Sequence, residues 1–448
     1  MEHPTMRKFE SIGIAVPDVL IPAEGSAFDR WAVVACDQYT SQPDYWAAVR
    51  DKVGDAPSTL NIIYPEVFLN EPESDKEARI AAIHDSMGRY IESGLLARHE
   101  GLVYVERTVD SRTRRGIVAC IDLEKYDFNR GSTTLVRATE GTILERIPPR
   151  VRIRKGAPLE LPHILILVDD PDDAMIGPIE AARDRLEKLY DFELMQEGGH
   201  LAGYLVDQPD LEAGIVDALK ALADPGEFAN KYALKHQMPV LLFAVGDGNH
   251  SLATAKAIWE DAKAAGAGLD SPLRWALVEF ENLHDKALVF EPIHRVLFEL
   301  NPDRDILTEF ETHYAGRIRR VPVKDIDALK SMVAESDRNT HRIGVACPDG
   351  YLVLEVTAPD AGLPVGTLQV FLDRFMKDGG AREIDYVHGA DVVNRLGRSP
   401  GNIGFFLPAM DKHDLFRTVI LDGVLPRKTF SMGEAHEKRF YMECRRLG

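Results

Sequence analysis

Cysteine, positive charge and long apolar runs are all scarce in this chain of 448 residues. The four cysteines are scattered without CxxC spacing, which argues against a zinc site or a disulfide framework and favours a reducing compartment. Lys and Arg total 53 against 72 Asp and Glu, and the net charge of −19 opposes nonspecific binding to a polyanion. We therefore expect no nucleic-acid partner.

Targeting segments and familiar catalytic motifs are also missing. The N-terminal segment lacks the apolar core of a signal peptide, and no apolar run approaches the length that spans a membrane. The Walker pattern, GxGxxG and HExxH do not occur. The missing targeting and membrane-spanning segments predict a cytoplasmic protein with no membrane partner, and the oligomeric state stays open.

Short apolar strands and amphipathic helices alternate along the whole chain. With 45% hydrophobic residues, the chain can bury one large core or two. We predict an α+β (mixed α/β) fold of two packed halves, 1–235 and 236–448, which meet after the polar segment 223–232. The pattern also predicts a helix over 178–192.

The stretch PVLLFAVGDGNHSLATAKAIWE combines a strand, a polar turn and a helix. The apolar run Val240 to Val245 predicts a buried strand, and apolar residues at helical spacing begin at Leu252. The turn between them holds Asp247, Gly248, Asn249, His250 and Ser251. Backbone N–H groups and the positive end of the helix dipole meet at such a turn, which suits a phosphate or carboxylate. The same residue types are also ordinary helix caps, and that structural interpretation stays open.

A local basic segment occupies 137–155 of this acidic chain. It places Glu140 and Glu145 among Arg137, Arg146, Arg150, Arg152, Arg154 and Lys155. Guanidinium groups there could bind phosphate oxygens while a carboxylate takes a proton. An exposed segment with surface ion pairs explains the pattern equally well.

Two further features carry candidate ligands. In RWALVEFEN, Glu279 and Glu281 fall on one face of a predicted strand, which suits a magnesium ion or simply a solvent face. In DQYTSQPDYW, Asp37 opens a polar and aromatic loop that suits either a ligand wall or a packed Ω-loop.

The second half adds donors near two prolines. His294 and Arg295 follow Pro292 in a sequence pattern of low specificity. Arg427, Lys428 and Thr429 follow Pro426 and could close over a phosphate or lie in an exposed terminal segment.

The order of these motifs resembles the family catalogued as domain of unknown function 1015. The resemblance rests on RATEGTILERIPPR, LLFAVGDGNHSLATAK, EPIHRVL, IDYVHGADVV, GFFLPAM and LPRKTFSM, and it runs nearly end to end. Most members carry Asp-Gly-His-His-Arg at the turn. Here Asn249 replaces a histidine and Ser251 replaces the arginine, so Arg146, Arg150 or Lys428 would have to supply the guanidinium or ammonium charge.

The same turn also resembles the nucleotide-phosphate loop of the ParB and sulfiredoxin superfamily, which includes free-serine kinases. This resemblance implies a ParB/sulfiredoxin-like nucleotide-binding core and a magnesium-dependent phosphotransferase acting between a nucleotide, ATP or ADP, and a small hydroxy or amino acid such as serine. The alternatives are a non-catalytic nucleotide- or metabolite-binding regulator and a small-molecule phosphatase.

Under the phosphotransferase hypothesis each candidate receives a role. The catalytic candidates are Asp247, His250, Glu140 and Glu145. The phosphate- or nucleotide-binding candidates are Gly248, Asn249, Ser251, Arg146, Arg150, His294, Arg295, Arg427, Lys428 and Thr429. The Mg²⁺ ligand candidates are Asp247, Glu279 and Glu281. The hypothesis requires 137–155, 247–251 and 427–431 to line one cleft.

Overall fold

The computed structural model describes residues 6–129 and 131–447, which fold into two compact units. The first unit comprises Met1–Leu288 with Ala435–Gly448, and the second comprises Val289–Glu434. Both units combine helices with paired strands, which confirms the predicted α+β (mixed α/β) class. Within the described ranges, every helix is too short or too polar to cross a bilayer.

The strands and helices are numbered along the chain. The strands are β1 (Arg7–Phe9), β2 (Ile14–Val16), β3 (Asp18–Pro22), β4 (Val33–Val34), β5 (Leu96–Glu100), β6 (Leu102–Val109), β7 (Arg112–Asp122), β8 (Tyr126–Asp127), β9 (Val136–Ala138), β10 (Leu159–Glu160), β11 (Leu165–Val168), β12 (Glu187–Glu193), β13 (His200–Val206), β14 (Phe243–Asp247), β15 (Trp275–Asn282), β16 (Phe290–Pro292), β17 (His294–Leu300), β18 (Ile318–Val323), β19 (Thr340–Cys347), β20 (Gly350–Thr357), β21 (Ala381–Val387), β22 (Ile403–Phe406), β23 (Phe430–Met432), β24 (Phe440–Tyr441) and β25 (Arg445–Arg446). The helices are α1 (Phe28–Trp31), α2 (Pro43–Val53), α3 (Glu73–Glu92), α4 (Ile147–Arg154), α5 (Gly177–Ala182), α6 (Pro209–Leu222), α7 (Pro225–Lys231), α8 (Asn249–Ala264), α9 (Ile306–His313), α10 (Ile326–Ala334), α11 (Pro364–Lys377), α12 (Ala390–Gly397) and α13 (Leu415–Asp422).

A mixed sheet forms the centre of the first unit, in the order β12-β13-β6-β7-β15-β11-β14-β9-β8, with β2 and β1 added alongside β7. Strand β11 is parallel to β15 and antiparallel to β14. Because β14 and β11 run in opposite directions, the end of β14 lies beside the start of β11, where Asp247 pairs with Leu165. This pairing brings the turn after β14 next to the residues that precede β11.

The two faces of this sheet bury separate apolar cores. On β15, Ala276, Val278 and Phe280 belong to one core, and Trp275 and Leu277 belong to the other. This alternation is the period of two expected for a strand that is buried on both faces. The side chains that follow Leu277 at the same spacing, those of 279 and 281, are therefore buried as well.

The expected boundary at residue 235 lies inside the first unit. Strands β14 and β15 follow that position in the chain, yet they pair with β9, β11 and β7 in one continuous sheet. The polar segment expected to separate two halves contains helix α7, whose first backbone N–H groups are capped by the Asp224 carboxylate. The chain enters the second unit at Val289.

The C-terminal segment from 435 onward returns to the first unit. Strand β24 pairs with β4, and β25 pairs with β10. Phe440, Tyr441 and Met442 are buried in the same apolar core as Trp31 and Trp46. The first unit therefore contains residues from both ends of the chain.

The second unit is built on an antiparallel sheet in the order β18-β20-β19-β22-β17-β21. One face packs against α9 and α11 through residues such as Phe310 and Phe371. The other face packs against α10 and α12 through residues such as Leu329 and Val393. A two-stranded antiparallel sheet of β16 and β23 also belongs to this unit and places 290–292 beside 430–432.

Candidate functional site

A strand, a turn and a helix follow one another as the sequence predicts, but the turn is Gly248 alone, because β14 includes Asp247 and α8 begins three residues before Leu252. Strand β14 ends at Asp247, Gly248 is the N-cap with φ of 78°, and the 16-residue helix α8 begins at Asn249. A β-carbon at Gly248 would lie 3.0 Å from the Ile164 backbone, so both the conformation and the space favour glycine. The first turn of α8 leaves backbone N–H groups outside the hydrogen bonding of the helix. The turn thus offers hydrogen-bond donors at the positive end of a helix dipole.

Asp247 is held by two donors. Its Oδ1 accepts the Gly248 N–H at 3.0 Å, and its Oδ2 accepts a hydrogen bond from Lys438 Nζ at 3.0 Å. The Lys438 side chain is 9% exposed and that of Asp247 is 26% exposed, so the pair lies at the edge of the buried interior. This pair joins the C-terminal segment to the turn and places one ammonium group beside it.

A chain of short polar contacts runs from Ser251 into the core. Ser251 Oγ lies 2.8 Å from His163 Nε2, and His163 Nδ1 lies 2.7 Å from the Tyr441 hydroxyl. The Tyr441 oxygen also accepts the backbone N–H of Cys36 at 3.2 Å. His163 therefore links a hydroxyl at the start of α8 to a tyrosine on β24.

The charge state of His163 follows from its surroundings. Burial lowers the pKa of His163 below its usual range, while the carboxylates of Asp37 and Asp247 oppose this shift and the guanidinium groups of Arg150 and Arg439 add to it. The imidazole is therefore neutral near pH 7. A neutral imidazole can accept a proton, so His163 has the chemistry of a general base.

A cavity of about 130 Å³ lies against these residues. His163, Ser251 and Tyr441 form part of its polar lining. Two ion pairs, Arg150 with Glu66 and Arg154 with Glu160, add charge at the wall. The remaining wall is largely apolar and includes Ile62, Ile63, Leu69, Ile83, Met87 and Leu159. A small organic molecule with one polar end would suit such a space.

Part of the basic segment lies close to the turn. The Ile143 N–H donates to His250 Nε2 at 3.2 Å, and Arg150 lines the same cavity as Ser251. The Oδ1 atom of Asn249 is buried without a hydrogen-bond partner, in the first turn of α8. The structure thus brings the turn and part of 137–155 together.

The candidate residues of that segment differ in exposure. Glu145 and Arg146 are exposed on a short 3₁₀ turn, and Glu140 is half-buried. Arg150 is half-buried, forms an ion pair with Glu66 and donates to the Arg146 carbonyl at 2.8 Å. Arg150 therefore forms part of the cavity wall. The catalytic roles of Glu140 and Glu145 stay predictions.

Glu279 and Glu281 do lie on one face of a strand, but that face is the protein interior. Glu279 pairs with Arg439 at 2.5 Å and Glu281 with Arg114 at 2.6 Å, and their side chains are 3% and 0% exposed. Burial raises the pKa of Glu281 to about 8, although the charge of Arg114 opposes this shift. Each carboxylate is thus matched to an arginine in a buried ionic cluster, and we carry neither forward as a metal ligand.

The possibility of a metal site rests on the remaining candidate, Asp247. Among residues 6–129 and 131–447, no group of three or more His, Cys, Asp or Glu could hold a metal ion. Mg²⁺ often binds proteins through one or two carboxylates together with substrate phosphates. The partly exposed Asp247 at the phosphate-type turn fits that mode.

His294 and Arg295 lie in the second unit and are buried, at 5% and 0% exposure. His294 Nδ1 accepts the Leu407 N–H at 3.1 Å, so this histidine ties two strands together. Arg295 donates to the carbonyls of Ile293 and Arg427 and to Gln369 Oε1. These contacts give both side chains a structural role. The phosphate-binding roles of His294 and Arg295 stay predictions.

The segment 427–429 also lies in the second unit. Arg427 donates to the Tyr386 hydroxyl at 2.6 Å and pairs with Asp373 at 2.5 Å. Lys428 is exposed with φ of 56°, and the Thr429 hydroxyl donates to the Pro426 carbonyl at 2.6 Å. The predicted closure of this segment over the turn stays a prediction.

The C-terminal residues at this site were not among the sequence-based candidates. Lys438, Arg439 and Tyr441 lie in EKRFYMECRR, where charged residues flank the aromatic and apolar residues FYM. That pattern could have indicated a buried strand that carries functional charges. His163 is a single histidine before the apolar run ILILV, and nothing in its sequence context distinguishes it from a structural histidine.

Comparisons with known proteins place the chain among its relatives. The profile of the family described as "Protein of unknown function (DUF1015)" matches residues 20–375. The search of curated proteins gives no match.

Solved structures with a distant likeness include a free serine kinase in complex with AMP, with a TM-score of 0.37, 10% identity and coverage of 72% of this chain and 90% of that chain. A conserved hypothetical protein from Pyrococcus furiosus has a TM-score of 0.34, 10% identity and coverage of 72% and 90%. SbnI with a C-terminal truncation, from Staphylococcus aureus, has a TM-score of 0.32, 10% identity and coverage of 72% and 82%.

Proposed function

The chain belongs to the DUF1015 family, and for this member we propose a phosphotransferase whose site lies at the turn between β14 and α8. The proposal rests chiefly on one observation: the pairs Asp247–Lys438 and Ser251–His163 both lie at the start of a long helix, and the second pair lines a cavity. A helix N-terminus attracts phosphate through its N–H groups and its dipole. Lys438 adds a positive charge next to that point.

Phosphoryl transfer depends mainly on positioning and on neutralisation of charge. In our proposal Gly248 and the first turn of α8 hold the phosphates of a nucleotide, and Asp247 would hold Mg²⁺ beside them. When bound, Mg²⁺ would neutralise the charge of the phosphate oxygens. Lys438 contributes to the same neutralisation while it keeps the Asp247 carboxylate in place.

The acceptor in this proposal is a small hydroxy or amino acid such as serine. The cavity of about 130 Å³ has room for a small molecule only, and its wall combines apolar side chains with two ion pairs. Transfer to a hydroxyl requires removal of its proton. His163 supports that step because its buried imidazole is neutral, and it lies at the wall of the same cavity.

A ligand screen followed by product detection tests the function. Purified protein is heated with ATP or ADP, Mg²⁺ and a set of hydroxy and amino acids, and a phosphotransferase should show a higher Tm with nucleotide and acceptor together. Phosphorus NMR of the stabilising mixtures should then show phosphate on the acceptor. A rise in Tm without product would instead indicate a nucleotide- or metabolite-binding regulator, and release of inorganic phosphate from a phosphoester would indicate a phosphatase.

The matched variants are Asp247→Ala and Asp261→Ala. Asp247 ends β14 directly before α8, whereas Asp261 is exposed and lies away from the turn, on the fourth turn of α8. We expect Asp247→Ala to abolish transfer while the protein keeps its near-UV circular dichroism, and Asp261→Ala to retain activity. An unchanged rate in Asp247→Ala would refute the assigned site.

A further inference from the structure

Ser251 has a contact that a helix cap does not explain. The Ser251 hydroxyl forms a hydrogen bond with His163 Nε2, and the two atoms are 2.8 Å apart. The N-cap of α8 is Gly248, so Ser251 does not cap the helix. Thr254 on the same helix lines the same cavity, but its hydroxyl donates to the His250 carbonyl at 2.7 Å in the ordinary way. Ser251 thus differs from its neighbour in facing an imidazole.

The imidazole is positioned from its other side. His163 Nδ1 lies 2.7 Å from the Tyr441 oxygen, which also accepts the Cys36 N–H at 3.2 Å. In the tautomer protonated on Nδ1, the imidazole donates to Tyr441, and Nε2 presents its lone pair to the Ser251 hydroxyl. A hydroxyl, a base and a group that orients the base form the arrangement of an activated nucleophile.

Three surroundings favour reaction at Ser251. The cavity that Ser251 lines gives a small substrate access to its oxygen. Ser251 belongs to the first turn of α8, whose backbone N–H groups have no partner within the helix and can stabilise negative charge. His163 is buried, and the charged groups that face it are Asp37, Asp247, Arg150 and Arg439.

We propose that Ser251 is a catalytic nucleophile with His163 as its general base, and that the transferred phosphoryl group passes through a phosphoester on Ser251 Oγ. This inference rests on the proposed phosphotransferase. In the first step the Oγ–P bond forms, the P–O bond to the nucleoside diphosphate breaks, and the Ser251 proton moves to His163 Nε2. The proton on His163 then leaves to water with the departure of the nucleoside diphosphate. In the second step His163 accepts the proton of the acceptor hydroxyl as the acceptor oxygen bonds to phosphorus, the P–Oγ bond breaks, and His163 passes that proton to Oγ.

The first experiment uses a fluorophosphonate probe, which reacts with activated serines without any nucleotide. The Oγ–P bond forms, the P–F bond breaks, and fluoride leaves as the proton moves to His163. Intact mass and peptide mapping should show one label on Ser251 in the wild type and in Ser93→Ala, which removes an exposed serine hydroxyl that does not line the cavity. Ser251→Ala should carry no label, and His163→Asn should react at least about tenfold more slowly.

The labelling rate should also depend on pH in a way that a structural contact would not produce. Because only neutral His163 accepts the proton, the rate should fall as the pH drops through the pKa of this histidine, and the fall should vanish in His163→Asn. Ser251→Cys keeps a nucleophile at the position and should react with iodoacetamide faster than the same variant that also carries His163→Asn. No label on Ser251 in the folded wild type would overturn the inference.

The second experiment uses ATP with Mg²⁺. The wild type should gain one HPO₃ on Ser251, and an acceptor found in the ligand screen should remove it. Transfer to the acceptor at the wild-type rate by Ser251→Ala would overturn the covalent intermediate and leave the phosphotransferase standing. No transfer and no phosphoserine, together with probe label on Ser251, would reject the phosphotransferase and retain the nucleophile. The two failures are therefore distinguishable.

Discussion

Protonation of His294 should lower the free energy of unfolding of the second unit as the pH falls. The side chain is 5% exposed, and its Nδ1 accepts the Leu407 N–H at 3.1 Å. Burial lowers the pKa of His294 to about 4, and the charge of Arg295 adds to the shift. An unfolded histidine titrates near about 6.5, so the unfolded chain takes up a proton at a higher pH than the folded chain does.

The sign and the magnitude follow from this difference. The stabilising effect of the lowered pKa is fully present above about pH 6.5 and is lost as the pH falls toward about 4. At about pH 5 the unfolded histidine is about 1.5 pH units below its own pKa, which at about 1.4 kcal/mol per unit amounts to about 2 kcal/mol. Protonation of Nδ1 would also remove the acceptor for the Leu407 N–H.

The matched variant is His294→Asn, because an asparagine Oδ1 can accept the Leu407 N–H and does not titrate. Urea unfolding of both proteins at about pH 7.5 and about pH 5 gives the two free energies of unfolding, with the m-values as a check on the transition. The wild type should lose about 2 kcal/mol more than the variant between these pH values. His341, whose pKa burial also lowers to about 4, is present in both proteins and cancels in the comparison. Equal losses in the two proteins would refute the reasoning.

Two further predictions concern the first unit. Arg439→Met should lower the free energy of unfolding by about 3 to 5 kcal/mol in urea titrations, because the carboxylates of Glu279 and Glu443 stay buried without their cation. A loss below about 1 kcal/mol would show that water reaches these carboxylates. Gly203→Ala should destabilise by about 1 to 3 kcal/mol, because its β-carbon would lie 2.0 Å from the Tyr190 ring. Gly214→Ala, on the exposed face of α6 with no atom within 4 Å of the new carbon, should instead be neutral or stabilise by up to about 1 kcal/mol.

Local patterns predicted the elements around the turn well, because short-range chemistry sets them. The second half of the apolar run 240–245 forms the buried strand β14, which continues to Asp247, and the helix that follows has apolar residues at the predicted spacing. The alternation along β15 was also readable, since a period of two has one structural meaning. What the alternation could not reveal was which face was buried. Both faces of β15 are buried, so Glu279 and Glu281 lie among arginines instead of near solvent.

The helix predicted over 178–192 shows how tertiary packing can override a local pattern. Helix α5 ends at Ala182, and 187–193 forms the edge strand β12 instead. That strand pairs with β13, and the buried ring of Tyr190 occupies the space that Gly203 leaves open. A partner strand and a glycine that follow later in the chain decided this conformation, and neither is visible in a local window.

The sequence by itself determined the mixed α+β class, the family and the strand, turn and helix that carry the candidate phosphate site. It did so because hydrophobic period and turn chemistry act over a few residues. The tertiary structure alone decided that His163, Ser251, Lys438 and Tyr441 meet, since these side chains come from segments up to 278 positions apart. Their meeting depends on the antiparallel pairing of β14 with β11 and on the return of the C-terminal segment to β4, which are long-range contacts that no local pattern encodes.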